Sequence, residues 1–437
     1  MKIPRRISQT LMGSLKGGVV PRVGLQYVTV GRAAEIDALL RDVDIIADGG
    51  AAFRFIVGKY GSGKSFLLQT IRNYVMAKNF VVLDADLSPE RRLQGTRGQG
   101  LATYKELIRN MATKTKPEGG ALNLILDRWI SNVQQAVMAE SGLGINDPSL
   151  AVLVEKRICA VIYSLNEMVH GFDFARLLTL YYQAYVAGND ETKAKVLKWF
   201  RGEYHTKTEA KQELGVNIVI TDDDWYEYLK IFAAFLKQAG YSGMLILIDE
   251  LVNIYKIPNA ITRQYNYEKI LTMYNDAMQG KAQHLGFILC GTPQCMEDPR
   301  RGVYSYEALR SRLAEGHFTG DHKDLLSPVI RLQPLTHEEM LILIEKLADI
   351  HAGLYEYSQI VTQQDMVDFI EIEFSRIGAD THITPREVIR DFIEVLDIVY
   401  QNPSIKVRKL LGSDRFTYAQ NAVQEENTHK DFAEFEL

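Results

Sequence analysis

The chain has 437 residues, 46% hydrophobic and 24% charged, which suits a globular protein of more than one domain and excludes a fibrous or wholly disordered one. Fifty basic residues face 55 acidic ones, for a net charge of −5, so the overall balance lacks the basic excess of a protein that coats nucleic acid. No run approaches the ~18 consecutive apolar residues that span a bilayer, and no apolar run follows the basic start, so the reading is a soluble, cytoplasmic protein with no membrane partner.

In chain order, residues 7–15 read as a short helix within an N-terminal segment, 1–28, that also carries Gly17, Gly18 and Pro21. From Gly31 the spacing of Ile36, Leu39 and Leu40 predicts a second helix. Residues 53–57 form an apolar run fit for a buried strand, a helix follows over 64–77, and 80–83 is a second strand. Strand, loop, helix and strand in that order predict a parallel sheet. From about 98 to 214 the pattern turns helical, with breaks at 117–120, 142–148 and 188–190, and the insertion is long enough to be a subdomain. Trp225, Leu229, Phe232 and Leu236 mark an amphipathic helix. Strands are then expected at 244–248, 287–290 and 329–332, with helices at 267–278 and 306–313 between them. Thr336 and Glu339 form a capping-box pattern that opens a helix, and two more helices are expected at 364–377 and 385–400. There is no internal repeat and no low-complexity segment.

Two motifs carry chemistry. Gly58, Lys59, Tyr60, Gly61, Ser62, Gly63, Lys64 and Ser65 fit the pattern G-x4-G-K-[ST], and Phe66 follows in the same turn. Its glycines let successive backbone N–H groups turn toward phosphate oxygens; Lys64 offers a point charge to the β and γ phosphates and Ser65 a hydroxyl to Mg2+. The helix starting at Lys64 adds its positive end. The second motif is the apolar run Met244, Leu245, Ile246, Leu247, Ile248 that ends in Asp249 and Glu250. Asp249 is expected to help hold Mg2+ and Glu250 to polarise an attacking water. The cofactors are therefore ATP and Mg2+.

The order of these parts resembles the AAA+ ATPases, near the origin-recognition and STAND-type branch. Val30, Gly31, Arg32, Ala33, Ala34 and Glu35 are similar to the V-G-R-x-x-E segment that packs near adenine. Gly291 and Thr292 look like sensor 1, Leu309 to Leu313 like the segment that carries an arginine finger, and Thr384, Pro385 and Arg386 like sensor 2. Further segments narrow the likeness: Gly17-Gly18-Val19-Val20-Pro21-Arg22, Asp84-Ala85-Asp86-Leu87-Ser88-Pro89-Glu90, Trp199-Phe200-Arg201-Gly202-Glu203 and Ile383-Thr384-Pro385-Arg386-Glu387-Val388. Together they resemble the BREX-type ATP-binding proteins (BrxD-like) of bacterial anti-phage defence clusters, over about residues 15–400. The resemblance implies an α/β AAA+ P-loop NTPase with a five-stranded parallel sheet, a large helical insertion at about 98–214 and a helical lid. The parts are then 1–28, a nucleotide-binding core over 29–333, the lid over 334–400 and a tail over 401–437. It also implies a role in defence, which no composition or spacing shows.

Several residues stay open at this stage. The trans-acting finger is Arg312, or else Arg310, or these are ordinary surface charges. Arg386 reads as a lid arginine near the γ-phosphate, Thr292 as a polar group beside it, and Arg32 as a nucleotide contact or a cap of its own helix. Arg91, Arg92 and Arg97 lie in a loop that faces solvent or a partner more readily than a nucleic-acid backbone. The three cysteines, Cys159, Cys290 and Cys295, lack zinc spacing, and Cys290 reads as a buried strand residue. About 37 residues follow Tyr400, fewer than the winged helix of origin-recognition proteins needs, so autonomous, sequence-specific DNA binding is not expected and DNA contact is expected through partners, with direct DNA remodelling by a closed ring as a third reading. The aromatic and acidic tail, Asp431 to Leu437, is either a docking peptide or a plain terminus. The expected function is ATP hydrolysis by a motor or switch in a homo-oligomer or a complex with other defence proteins. The alternative is an ATP-dependent scaffold with little turnover.

Overall fold

The computed structural model describes residues 3–314, 324–376 and 384–411. The acidic tail and Ile383 lie outside them. In chain order the helices are α1 (Arg5–Lys16), α2 (Ala33–Ala47), α3 (Lys64–Ala77), α4 (Gln99–Arg109), α5 (Leu122–Ser141), α6 (Pro148–Ser164), α7 (Gly171–Val186), α8 (Asp190–Phe200), α9 (Lys207–Leu214), α10 (Trp225–Gln238), α11 (Val252–Tyr255), α12 (Ala260–Met278), α13 (Pro293–Glu297), α14 (Glu307–Leu313), α15 (His337–Tyr355), α16 (Gln363–Arg376), α17 (Pro385–Gln401) and α18 (Val407–Leu411). The strands are β1 (Ala51–Val57), β2 (Val81–Asp86), β3 (Met244–Asp249), β4 (Leu285–Gly291) and β5 (Val329–Arg331). The chain divides into two compact units: Ala34–Lys59 with Thr70–Leu332, and Met1–Ala33 with Tyr60–Gln69 and Gln333–Leu437.

The first unit holds a five-stranded sheet in the order β2-β3-β4-β1-β5, with every pairing parallel. Its strands are mostly apolar because both faces are covered. Phe53, Phe55, Leu83, Ile246, Ile248, Phe287 and Leu289 join one core. That core continues through Phe232 of α10 to Trp129 of α5, Phe174 of α7 and Trp199 of α8, so the insertion shares it. The alternate residues Ile56, Val82, Leu245, Leu247 and Ile288 are buried as well. Each such side chain contributes roughly 1.5–3 kcal/mol on burial.

One charge sits inside β1. The Arg54 guanidinium makes a two-point pair with Asp42 of α2, at 2.6 and 2.7 Å, and both residues are more than nine-tenths buried. Its remaining nitrogen donates to the carbonyls of Leu326 and Ser327, just ahead of β5. The arginine thereby fastens a three-residue edge strand to the sheet.

Several elements differ from the sequence reading; α12, for one, begins at Ala260 rather than at 267. β2 runs on to Asp86, because Asp84, Ala85 and Asp86 pair in register with Leu247, Ile248 and Asp249. An apolar count stops where carboxylates begin, although the ladder does not. The insertion also breaks between α6 and α7, where His170 takes a left-handed backbone conformation, φ 61°, ahead of Gly171.

The second unit is helical. Leu11, Met12 and Leu15 of α1 lie in one core with Met340, Ile344 and Leu347 of α15, Phe369 of α16 and Val388, Phe392 and Leu396 of α17. A polar tie around the buried His351 adds to it: Asp397 accepts from the half-exposed Lys16 at 2.5 Å and pairs with His351 at 3.0 Å, whose other ring nitrogen meets the Tyr357 hydroxyl at 2.8 Å. Capping boxes start α15, with Thr336 and Glu339, and α17, with Thr384 and Glu387 after which Pro385 takes the first helical position. The helix at Val407–Leu411 had no counterpart in the sequence reading.

Candidate functional site

In the sheet unit the parallel strands bring their carboxyl ends to one edge, where α/β proteins bind ligands. β1 runs into Gly58, whose N–H donates to the Gly291 carbonyl at the end of β4, 3.1 Å away. β3 ends in Asp249, paired in register with Asp86 of β2. Asp249 is 9% exposed, and its Oδ1 accepts the Glu250 N–H at 2.8 Å. Glu250 faces solvent and has a left-handed backbone, φ 59°. A non-glycine residue in that region costs about 1–2 kcal/mol and persists where surrounding bonds enforce it.

The edge is crowded with carboxylates. Asp84 is paired with the buried Arg72 of α3 at 3.1 Å. Among the described residues Asp86 makes no such pair, and the nearby Arg91 charge offsets its surroundings only in part. Burial on its sheet side, and then the charges of Asp249, Asp84 and Glu250, push its carboxyl up to about 6, although part of the side chain reaches solvent. Asp86 therefore holds a proton more readily than an ordinary aspartate, and a cation at this edge would displace it.

Thr292 follows β4 and is 7% exposed. Its hydroxyl accepts from the Cys295 N–H at 3.3 Å, capping α13, and retains its own proton to donate. Cys290 is buried in β4. Arg310 and Arg312 are exposed on α14: Arg310 lies 3.6 Å from Glu307, and Arg312 donates to the Ala308 carbonyl at 2.6 Å. Arg91 and Arg97 differ in setting. Arg91 donates to the Asp86 carbonyl at 2.9 Å, whereas Arg97 faces solvent.

The rest of the glycine loop, from Tyr60, belongs to the helical unit. Arg32, 6% exposed, donates to the Ser62 carbonyl at 3.2 Å and to the Gln333 carbonyl at 2.8 Å, so it braces the loop from behind. Val30 and Phe66 are partly buried against the helical core. The Lys64 ammonium lies 5.5 Å from the centre of the exposed Tyr60 ring. Gly61 packs so closely on Thr384 that a Cβ there would come within 2.5 Å of the threonine side chain. The exposed Arg386, two residues on, lays its stem over Gly18.

Two observations fit this loop to a phosphate group. Gly63 has φ 93° and open space where a Cβ would stand, so its backbone is bare on that side. The Ser62 hydroxyl is buried and has no hydrogen-bond partner among the described residues. An anion with several acceptor oxygens satisfies both features. No group of three or more metal-ligating side chains occurs among the described residues, so a cation here would lean on phosphate oxygens as well as protein.

The sequence singled out the loop, Asp249, Glu250, Thr292, Arg386 and both α14 arginines. It passed over Asp86 as a carboxylate of this edge, and Asn253, whose side chain is described below. A strand that ends in two alternate aspartates opposite Asp249 was the available signal for Asp86.

Fold and site thus define an α/β protein with an all-parallel five-stranded sheet and a glycine-rich phosphate-type loop after its first strand. Residues 3–415 match the family of BREX system ATP-binding proteins BrxC/D, and the chain belongs to that family. ATP binding and a place in the BREX defence system come with that membership. The curated proteins contain no match to the chain. Among the described residues no helix is long and apolar enough to cross a membrane.

Proposed function

We propose that this BREX ATP-binding protein is an AAA+-type ATPase that works as a motor or switch in an anti-phage complex. The observation that carries the reading is Glu250: an exposed carboxylate in a strained conformation, directly after a buried aspartate, at the carboxyl end of a central parallel strand. Such strain is tolerated where the direction of a side chain matters.

In this reading the amides of Gly58 to Lys64 bind the phosphates and the Lys64 ammonium balances the γ-phosphate charge. Ser65 and Asp249 would hold Mg2+, which supplies further neutralisation of the phosphate oxygens. Glu250 orients a water and takes its proton as oxygen attacks the γ-phosphorus; the bond to the β-γ bridging oxygen breaks, leaving ADP and phosphate. Thr292 and Arg386 sense the γ-phosphate. Arg312, or Arg310, is exposed on α14 and suits a finger offered to a neighbouring subunit. Loss of the γ-phosphate then changes lid and subunit contacts. Partners are further copies of the chain or other defence proteins in the cytoplasm, with DNA reached through them.

Phosphate release by the full chain, with and without Glu250→Gln, tests this. The expected result is ATP binding by both and a fall in turnover of about a hundredfold or more in the variant, as befits loss of a general base. Equal, low turnover in both would favour the scaffold reading instead.

A further inference from the structure

We infer that Asn253 is the positioning residue for Glu250. The inference rests on the proposed hydrolysis, and it names a group that the two phosphate motifs do not contain.

Glu250 is the joint between β3 and α11, and its backbone is held from both sides. Its N–H donates to Asp249 Oδ1 at 2.8 Å. Its carbonyl accepts the Asn253 backbone N–H at 2.9 Å and a longer bond, 3.3 Å, from the Asn253 side-chain amide. The same Nδ2 makes its shorter bond, 2.8 Å, to the carbonyl of Leu87. Leu87 is 2% exposed, and its N–H in turn donates to the Asp249 carbonyl at 3.1 Å. On the other flank the Leu251 N–H donates to the Cys290 carbonyl at 3.0 Å. The Asn253 amide therefore spans the exit of β2 and the carbonyl of Glu250, and closes a ring of bonds around a left-handed glutamate.

The amide is suited to this place by its two N–H donors. Removing the amide takes the 2.8 Å partner from the buried Leu87 carbonyl, at about 1–3 kcal/mol, comparable to the strain at Glu250; the Glu250 carbonyl keeps the Asn253 backbone N–H, but the tie from the exit of β2 that holds the joint is gone, so the joint relaxes toward an ordinary backbone. A relaxed backbone redirects the carboxylate. Misplacement of a reacting group by ~1 Å costs on the order of a hundredfold in rate. Leu87 also follows Asp86 directly, so the ring fixes the spacing between that carboxylate and Glu250.

The test uses the full chain with Asn253→Ala and with Asn253→Leu, which keeps the side-chain branching without the amide. The expected result is a turnover number lower by about a hundredfold, an ATP affinity by calorimetry at the wild-type value, and faster amide hydrogen exchange across residues 249–256. In a Glu250→Gln background Asn253→Ala is expected to add no further loss, because both act through one carboxylate. Wild-type turnover and wild-type exchange in both variants would overturn the inference. So would turnover, ATP affinity and melting temperature falling together in both, which marks a general structural role. Should Asn253→Ala fail to fold, Asn253→Leu decides alone. A wild-type chain whose turnover does not depend on Glu250 overturns the proposed function and this inference with it; a Glu250-dependent wild type beside unaffected Asn253 variants overturns this inference only.

Discussion

Replacing Glu250 by glycine should stabilise the sheet unit relative to replacement by glutamine, while both variants lose hydrolysis. The glutamate side chain is exposed, so neither change removes a packed group. The backbone bonds at this position, from Glu250 N–H to Asp249 and from Asn253 N–H to the Glu250 carbonyl, survive both substitutions. What differs is φ 59°, which glycine adopts freely and glutamine does not. Relief of about 1–2 kcal/mol of left-handed strain is opposed by about 0.5–1 kcal/mol of extra chain entropy in the unfolded glycine variant. Glycine should therefore match or exceed glutamine, by about 0–1.5 kcal/mol. Both variants lack the carboxylate, so its repulsion with Asp86 and Asp249 cancels in the comparison. Urea unfolding of the two variants without nucleotide, with equal slopes, measures the difference. A glycine variant less stable than the glutamine one would show that the strain is smaller than the entropy that opposes it, below about 1 kcal/mol, and the argument that Glu250 is held for function would lose its basis.

Two other outcomes follow from charges in the sheet unit. The carboxyl of Asp86 titrates at about 6 when folded, against an ordinary 3.8, so folding favours its protonated form. That contribution is full below the unfolded value and is lost as pH rises through about 6, where the ionised group opposes folding. Asp86→Asn, without Mg2+, should accordingly melt higher than wild type at about pH 7.5 and lose that advantage toward pH ~4; an advantage independent of pH would refute this. At the Arg54–Asp42 pair, Arg54→Met strands a buried carboxylate and should cost about 3–5 kcal/mol by chemical denaturation, whereas adding Asp42→Asn should restore part of it. Additive losses in the double variant would mean that the two charges do not depend on each other.

The sheet was legible because parallel strands covered on both faces leave apolar runs that few other elements produce. The runs at 53–57 and 244–248 each lie inside an observed strand. Helix starts were legible where chemistry marks them: Thr336 with Glu339, and Pro385 after Thr384, sit in their caps as their spacing demands. The end of β2 was not legible, since Asp84 and Asp86 look like a turn until Leu247 and Asp249 are placed beside them.

The glycine loop and the Asp249–Glu250 pair stand out by local order alone, because a phosphate-loop pattern and a carboxylate pair at a strand end are consecutive residues at set spacing. Long-range contacts decided everything that depends on neighbours distant in the chain. Only the folded chain puts Arg32 behind Ser62, lays Thr384 on Gly61 and sets Arg54 on Asp42. It alone crowds Asp86 among carboxylates and joins Asn253 to Leu87 around Glu250. Backbone conformation and proton affinity answer to the sum of a residue's surroundings, and tertiary structure is what assembles those surroundings.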